Sequence, residues 1–373
     1  MHYLDHAATS HPKPPSVLQA MAHWFEHFGV SADRGDSTLS RRVAERLAAL
    51  RRGIGQLVGV AGERVAFVSG ATEGLNLALR ALLRPGDRVV TTAFEHSSMA
   101  RPLRALAAAR QLTLDVLPPA ANGGLDADCL RAALRAPARL LAFTHASNVT
   151  GAVLDAAAFT TIARDHGTLS LLDACQTAGL LPIDVGADVV VASGHKALQG
   201  PPGTGFVSCR PGLDLLPQKQ GGSGGSLALD QHPTEWPRAF EAGTPNTPAL
   251  FGLAAALDRL QDHPPAQNLR RALARLDELC VGLDGTPGLR LLRPPGAHVP
   301  ILSLVHDTFD AAELGAVLDG AGVVARSGFH CAPWLHGHLG TNTAGTLRLS
   351  PGPDTDAGAI AAAVAALRSL GAG

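Results

Sequence analysis

Lysine is nearly absent from this chain of 373 residues, where Lys13, Lys196 and Lys219 are the three lysines among 31 basic side chains. Any chemistry that needs a deprotonatable amine has three candidates. An excess of charge is missing too. The 31 basic and 32 acidic residues balance to −1, so there is no bulk field to hold nucleic acid or an anionic membrane, and neither is expected as a partner. No apolar run reaches the ~20 residues of a spanning helix. The start, Met1-His2-Tyr3-Leu4-Asp5-His6, lacks the basic-then-apolar pattern of a secretory signal. Cys129, Cys175, Cys209, Cys280 and Cys331 include no C-x-x-C pair, which argues against a disulfide framework and a thiolate zinc site. A cytoplasmic protein with reduced thiols is the expectation.

Apolar content is ample. Hydrophobic residues make up 46% and charged residues 17%, which excludes intrinsic disorder, and the length predicts about two domains. From about residue 60 to 210, strand-like runs alternate with helical spacing. Strands are expected at 64–69, 88–92, 113–117, 139–143, 169–172 and 187–192, with helices at 73–83 and 99–110. Such alternation predicts an α/β fold with a largely parallel sheet covered by helices on both faces. After Arg210 the texture changes: a Gly/Gln-rich loop, a helix over 248–260 stopped by Pro264-Pro265, then a smaller α/β pattern that closes on a helix over 356–370.

Ligands of open parallel sheets bind beyond the carboxyl ends of the strands. Five expected strand exits here carry polar side chains: Gly70-Ala71-Thr72-Glu73-Gly74, Glu95-His96, His145-Ala146-Ser147-Asn148, Asp173-Ala174-Cys175-Gln176 and Ser193-Gly194-His195-Lys196. Each has an ordinary structural reading as a cap or a packed residue. Together they offer a phosphate cup at a helix start, a flat imidazole, a carboxylate, an amide and an amine. Pyridoxal phosphate needs that set: an amine for its aldehyde, a carboxylate to keep its ring nitrogen protonated, a cup for its phosphate. Lys13 lies between prolines and Lys219 in a Gly/Gln loop, positions that read as solvated, which leaves Lys196 for the aldehyde.

At these residues the chain resembles the cysteine desulfurase family of class V aminotransferase-fold enzymes. The motifs that carry the likeness also include Tyr3-Leu4-Asp5-His6-Ala7-Ala8-Thr9, Phe240-Glu241-Ala242-Gly243-Thr244-Pro245-Asn246-Thr247 and Arg326-Ser327-Gly328-Phe329-His330-Cys331-Ala332-Pro333. The resemblance implies the type I fold of pyridoxal-phosphate-dependent transferases. A large cofactor domain would span 16–258, and a small domain, 259–373 with 1–15, would carry Cys331 and Arg348. Lys196 would bond the cofactor aldehyde, His96 stack on its ring, Asp173 bond the ring nitrogen and Gln176 the phenolic oxygen. Ala71, Thr72, Ser193 and His195 would hold the phosphate, with Thr244 reaching in from the second subunit of a homodimer. Asn148, Arg326 and Arg348 would bind the substrate, L-cysteine. Cys331 would take its sulfur as a persulfide and leave L-alanine, for delivery to a sulfur-acceptor protein. The short connection from Arg326 to Arg348 resembles the second, short-loop desulfurase group, and the expected use is iron–sulfur clusters, thiolated nucleosides or another cofactor.

Phe329, Asp33, Ser37 and Met99 depart from residues frequent in the family, the first three near where a partner or second subunit would approach Cys331. Rival readings fare less well. Gly200-Pro201-Pro202-Gly203-Thr204-Gly205 starts like a P-loop but continues Phe206-Val207 where Lys and Ser/Thr are required. Cys331, His330, His336 and His338 have no standard zinc spacing, so no metal is expected. Selenocysteine lyase, or another class V aminotransferase or lyase, remains the alternative activity, because fold alone does not choose among them.

Overall fold

The computed structural model describes residues 1–30, 37–223 and 230–372, so Asp33 lies outside the described residues. Strand β1 (His2–Tyr3) leads to helices α1 (Pro15–His27) and α2 (Thr38–Val58), the latter capped by the Ser37 hydroxyl, which accepts from the Ser40 N–H. Alternation follows: β2 (Val65–Val68), α3 (Ala71–Leu82), β3 (Arg88–Thr92), α4 (Ser97–Arg110), β4 (Thr113–Leu117), α5 (Ala127–Leu134), β5 (Leu140–Thr144), α6 (Ala156–Asp165), β6 (Leu169–Asp173), β7 (Val189–Ser193) and β8 (Gly205–Cys209). These strands form one seven-stranded sheet in the order β2-β8-β7-β6-β5-β3-β4, and all but β8 run the same way.

Both faces of this sheet are covered, as the uninterrupted apolar strands require. Phe67, Leu141, Phe143 and Leu172 pack on one side with residues of α2, α6 and α7 (Thr247–Asp262); Val68, Ala142, Leu171 and Val191 pack on the other with α3 and α4. Strand β8 follows the turn at Gly203, in the segment that starts like a P-loop. Because it runs opposite, it starts at the edge where its neighbours end, so Gly205 pairs with both Val68 and Ser193.

Pro264-Pro265 stops α7 but also opens a helix absent from the sequence expectation, α8 (Pro265–Leu283), with proline in its first turn. Beyond it come β9 (Leu289–Leu292), β10 (Leu302–His306), α9 (Ala311–Gly320), β11 (Val323–Val324), β12 (Arg326–Gly328), α10 (Leu335–Leu339), β13 (Thr346–Leu349) and α11 (Ala357–Arg368). Strands β12-β13-β10-β9 make an antiparallel sheet with its own core of α8, α9 and α11 leucines. The amino-terminal segment is stitched to this part, β1 pairing with β11 and Asp5 bridging to Ser350. Among the described residues no helix is long and apolar enough to cross a membrane.

Candidate active site

The carboxyl ends of β2, β3, β5, β6 and β7 lie on one edge of the large sheet, and an open cleft of about 720 Å³ sits there. Ala71, Thr72, His96, Asn148, Asp173, Gln176, Ser193, His195, Lys196, Arg326 and Arg348 all line it, so eleven of the thirteen residues expected at the site converge. Cys331 stands exposed beside the lining residues Arg326 and His330. Thr244 is the other exception: it is exposed in a separate cleft with Ser69, Glu73 and Lys219, outside the turn that opens α3.

The cup is built by local rules. Helix α3 is capped at Gly70 without a side chain of its own; Ala71 N–H donates to Ser193 Oγ at 2.9 Å, and the Thr72 and Glu73 N–H groups stay available among the described residues. Glycine is required at the start of β8, since a Cβ on Gly205 would stand 2.9 Å from Gly70 Cα. The Asp173 carboxylate takes the Cys175 N–H on Oδ1 at 2.9 Å, and its other oxygen accepts no bond among the described residues. Lys196 Nζ likewise makes no hydrogen bond or ion pair among them. His96 caps α4: the Ser98 N–H donates to its Nδ1 at 3.1 Å, so the neutral ring carries its proton on Nε2. Burial, with the Lys196 charge adding, pulls His96 down to about 4. A free amine, a free carboxylate oxygen, an uncapped helix start and a flat neutral imidazole thus share one cleft, and pyridoxal phosphate fits them.

The expectation that Lys13 is solvated is corrected. Its Nζ donates to the His195 carbonyl at 2.7 Å, Ser10 Oγ at 2.8 Å and Thr9 Oγ1 at 3.3 Å, which uses all three ammonium protons. Burial lowers it to about 8. Ser10 N–H and the Thr9 and Ser10 hydroxyls converge on the same carbonyl, so the amino-terminal segment clamps the residue before Lys196. Nothing in the sequence brings residues 13 and 195 together. Lys219 does stand exposed, paired with Glu73 at 3.0 Å.

Glu95 is a second residue whose part the sequence concealed. Fully buried, it accepts from Thr92 Oγ1 at 2.5 Å and Thr144 N–H at 3.1 Å, tying the ends of β3 and β5, and burial pushes it up to about 8. Cys175 and Cys209 are buried, Cys129 and Cys280 half-buried.

On the other wall, Arg326 and Arg348 are directly cross-strand on β12 and β13, an arrangement that like charges disfavour. Arg348, 1% exposed, is compensated: Nη2 donates to Asp5 Oδ1 at 2.7 Å and Nη1 to the Asn148 carbonyl at 3.0 Å. Its Nε–H remains buried without a partner among the described residues, as do Asn148 Oδ1 and His330 Nδ1. Orphans of this kind are costly and mark places where a ligand completes the bonding. Arg326 Nη2 lies 3.7 Å from Cys331 Sγ. His330, although adjacent in sequence, points its Nε2 to Thr346, at 2.8 Å from Oγ1, and burial with the Arg348 charge lowers it to about 2. The guanidinium, and not that imidazole, faces the thiol. Among the described residues no three His, Cys, Asp or Glu side chains gather as a metal group.

Comparison with known proteins agrees with this arrangement. Residues 2–361 match the family described as Aminotransferase class-V. A cysteine desulfurase of Pectobacterium carotovorum is 33% identical over 351 residues, covering 91% of this chain and 86% of that one, and one of Escherichia coli is 33% identical over 344 residues, covering 88% and 84%. Among solved structures, the apo cysteine desulfurase of Thermococcus onnurineus superposes with a TM-score of 0.93 at 28% identity, covering 99% of this chain and 94% of that one. The Escherichia coli cysteine desulfurase CsdA superposes with a TM-score of 0.89 at 29% identity, with the same coverage. The cleft with its single free lysine, the type I arrangement of strands around it and these likenesses agree: the chain belongs to the class V aminotransferase family, in its cysteine desulfurase branch.

Proposed function

We propose that this protein is a pyridoxal-phosphate-dependent cysteine desulfurase in which Cys331 receives the sulfur. The observation that carries the second part is the placement of an exposed thiol beside a guanidinium, at the wall of the cleft that holds Lys196. Lys196 would bond the cofactor aldehyde, Asp173 its ring nitrogen, and Gln176 its phenolic oxygen. His96 would lie on the ring, and Ala71, Thr72, Ser193 and His195 would surround the phosphate. When bound, the cofactor withdraws electrons from the substrate's carbons and so loosens the bond to sulfur.

The chain's own residues supply the rest. Arg348 Nε–H, held in place by Asp5 and the Asn148 carbonyl, gives the substrate carboxylate a donor. The Cys331 thiol, with the Arg326 guanidinium 3.7 Å from its sulfur, attacks the substrate sulfur. The cysteine Cβ–S bond breaks as an S–S bond forms, so Cys331 thiol plus L-cysteine gives Cys331 persulfide plus L-alanine, with no outside oxidant. An acceptor thiol then takes the outer sulfur. Thr244, remote from the cleft of its own chain, would complete the phosphate site of a second copy in a homodimer, and the setting would be the cytoplasm.

The test is alanine release from L-cysteine by the purified protein with a thiol reductant present. Alanine in step with sulfide is expected, and Cys331→Ser should keep the bound-cofactor absorbance while losing sulfide release. Desulfuration retained by Cys331→Ser removes that thiol from the reaction; no alanine from a cofactor-loaded protein points to a different substrate.

A further inference from the structure

Cys331 sits on a turn whose backbone is unusual. His330 (φ 46°) and Cys331 (φ 56°) are consecutive left-handed residues, neither of them glycine. Each position costs on the order of 1 kcal/mol or more, and such strain persists only where surrounding bonds over-determine it. Here they do. Three successive carbonyls are anchored by three separate groups: Phe329 O accepts from His336 Nε2 at 3.0 Å, His330 O from Asn148 Nδ2 at 2.5 Å, and Cys331 O from Ser97 N–H at 2.6 Å. Asn148 lines the cleft and Ser97 directly follows His96, so both anchors belong to the site. His336 does not line the cleft. It is 2% exposed, on α10, five residues beyond the cysteine.

The bonding fixes its tautomer. A carbonyl only accepts, so His336 Nε2 carries the hydrogen; bare Nδ1 then takes the Thr341 hydroxyl at 2.8 Å. The Thr341 N–H also closes on the His336 carbonyl at 2.9 Å, locking the pair together. The Phe329 ring, 47% exposed, stands edge-on to the imidazole at 5.3 Å and covers it.

We propose that His336, oriented by Thr341, is a positioning residue that holds Cys331 in the left-handed conformation from which its thiol reaches the substrate sulfur. This rests on the reading of Cys331 as the sulfur acceptor. A cysteine held in this way does not swing to find its target; substrate and acceptor come to a fixed thiol.

Two readouts test it: hydrogen exchange across residues 329–334, and single-turnover transfer of sulfur to Cys331 with KM for L-cysteine measured alongside. In His336→Leu, exchange at Ala332, whose N–H is bonded to Phe329 O, should quicken by about tenfold, and sulfur transfer should slow by about tenfold or more with KM within about twofold. Thr341→Val, which removes one hydroxyl, should move both readouts in the same direction and carries the test if His336→Leu does not fold. His336→Gln keeps an amide donor for Phe329 O and should restore both. Natural exchange and transfer in His336→Leu and Thr341→Val, or a His336→Gln as impaired as His336→Leu, would overturn the proposal. Desulfuration retained by Cys331→Ser would instead sink the sulfur-acceptor reading, while the exchange arm still judges the anchor.

Discussion

Four imidazoles, those of His6, His96, His145 and His195, are pulled from 6.5 to about 4, in each case chiefly by burial. Their sign for stability is the same. The unfolded chain takes up a proton at each below pH 6.5, the folded one not until about 4, so the stabilisation is whole above 6.5 and is lost as pH falls through 4. His145, bonded through Nδ1 to Thr177 Oγ1 at 2.9 Å, lies outside the cleft and isolates one such group. Near pH 5 each of these four should add nearly one proton taken up on unfolding to the slope of unfolding free energy, and His145→Gln should lower the measured number by about one. A slope unchanged in His145→Gln would mean that its burial does not set its titration. At this scale the sequence told much about some residues and little about others. Lys196, Asp173 and His96 were legible because each follows an apolar strand. Lys13 was not, because its partner is 182 positions away and only packing joins them.

Helix α3 shows how an element, and not a side chain, would make the proposed phosphate cup. Its start is brought to the sheet edge by close packing at Gly74, where a Cβ would stand 2.8 Å from Val191 Cγ1 and 2.8 Å from Val207 Cγ2. Alanine there gains up to about 1 kcal/mol in helix propensity, but overpacking typically costs about 1–3 kcal/mol, and the methyl pushes the helix away from the Val191 and Val207 side chains of β7 and β8. Gly74→Ala should therefore lower the melting temperature and weaken cofactor binding by about tenfold, since Ala71 and Thr72 ride on the same helix. Titration of cofactor-free protein with pyridoxal phosphate checks it; unchanged affinity would show that the helix absorbs the methyl without shifting the cup. The alternation of strands and helices was readable because each period is short and each strand apolar. Helix α8 was missed for a physical reason: the prolines that end α7 are equally suited to the first turn of the next helix.

At the scale of the whole molecule the site is a joint product of distant segments. Asp5 meets Arg348 across 343 positions, and residues 9, 10 and 13 meet the carbonyl before Lys196. The resemblance of motifs indicated these segments in order, but no periodicity reveals which of them touch. Thr244 extends this argument beyond one chain. It is exposed, it lines a different cleft from Lys196, and the family resemblance of its motif implies a place at a phosphate. Those facts agree if each site takes Lys196 from one copy and Thr244 from another, related by a two-fold axis. Lys196→Ala removes the amine, and Thr244→Asp sets a carboxylate against the phosphate, so each homodimer should be inactive. Mixed and reassorted, half the dimers carry one copy of each, with one intact site of two, and about a quarter of the natural alanine release should return. If Thr244 served its own chain's site, no mixed dimer would contain an intact site, and the mixture would stay inactive.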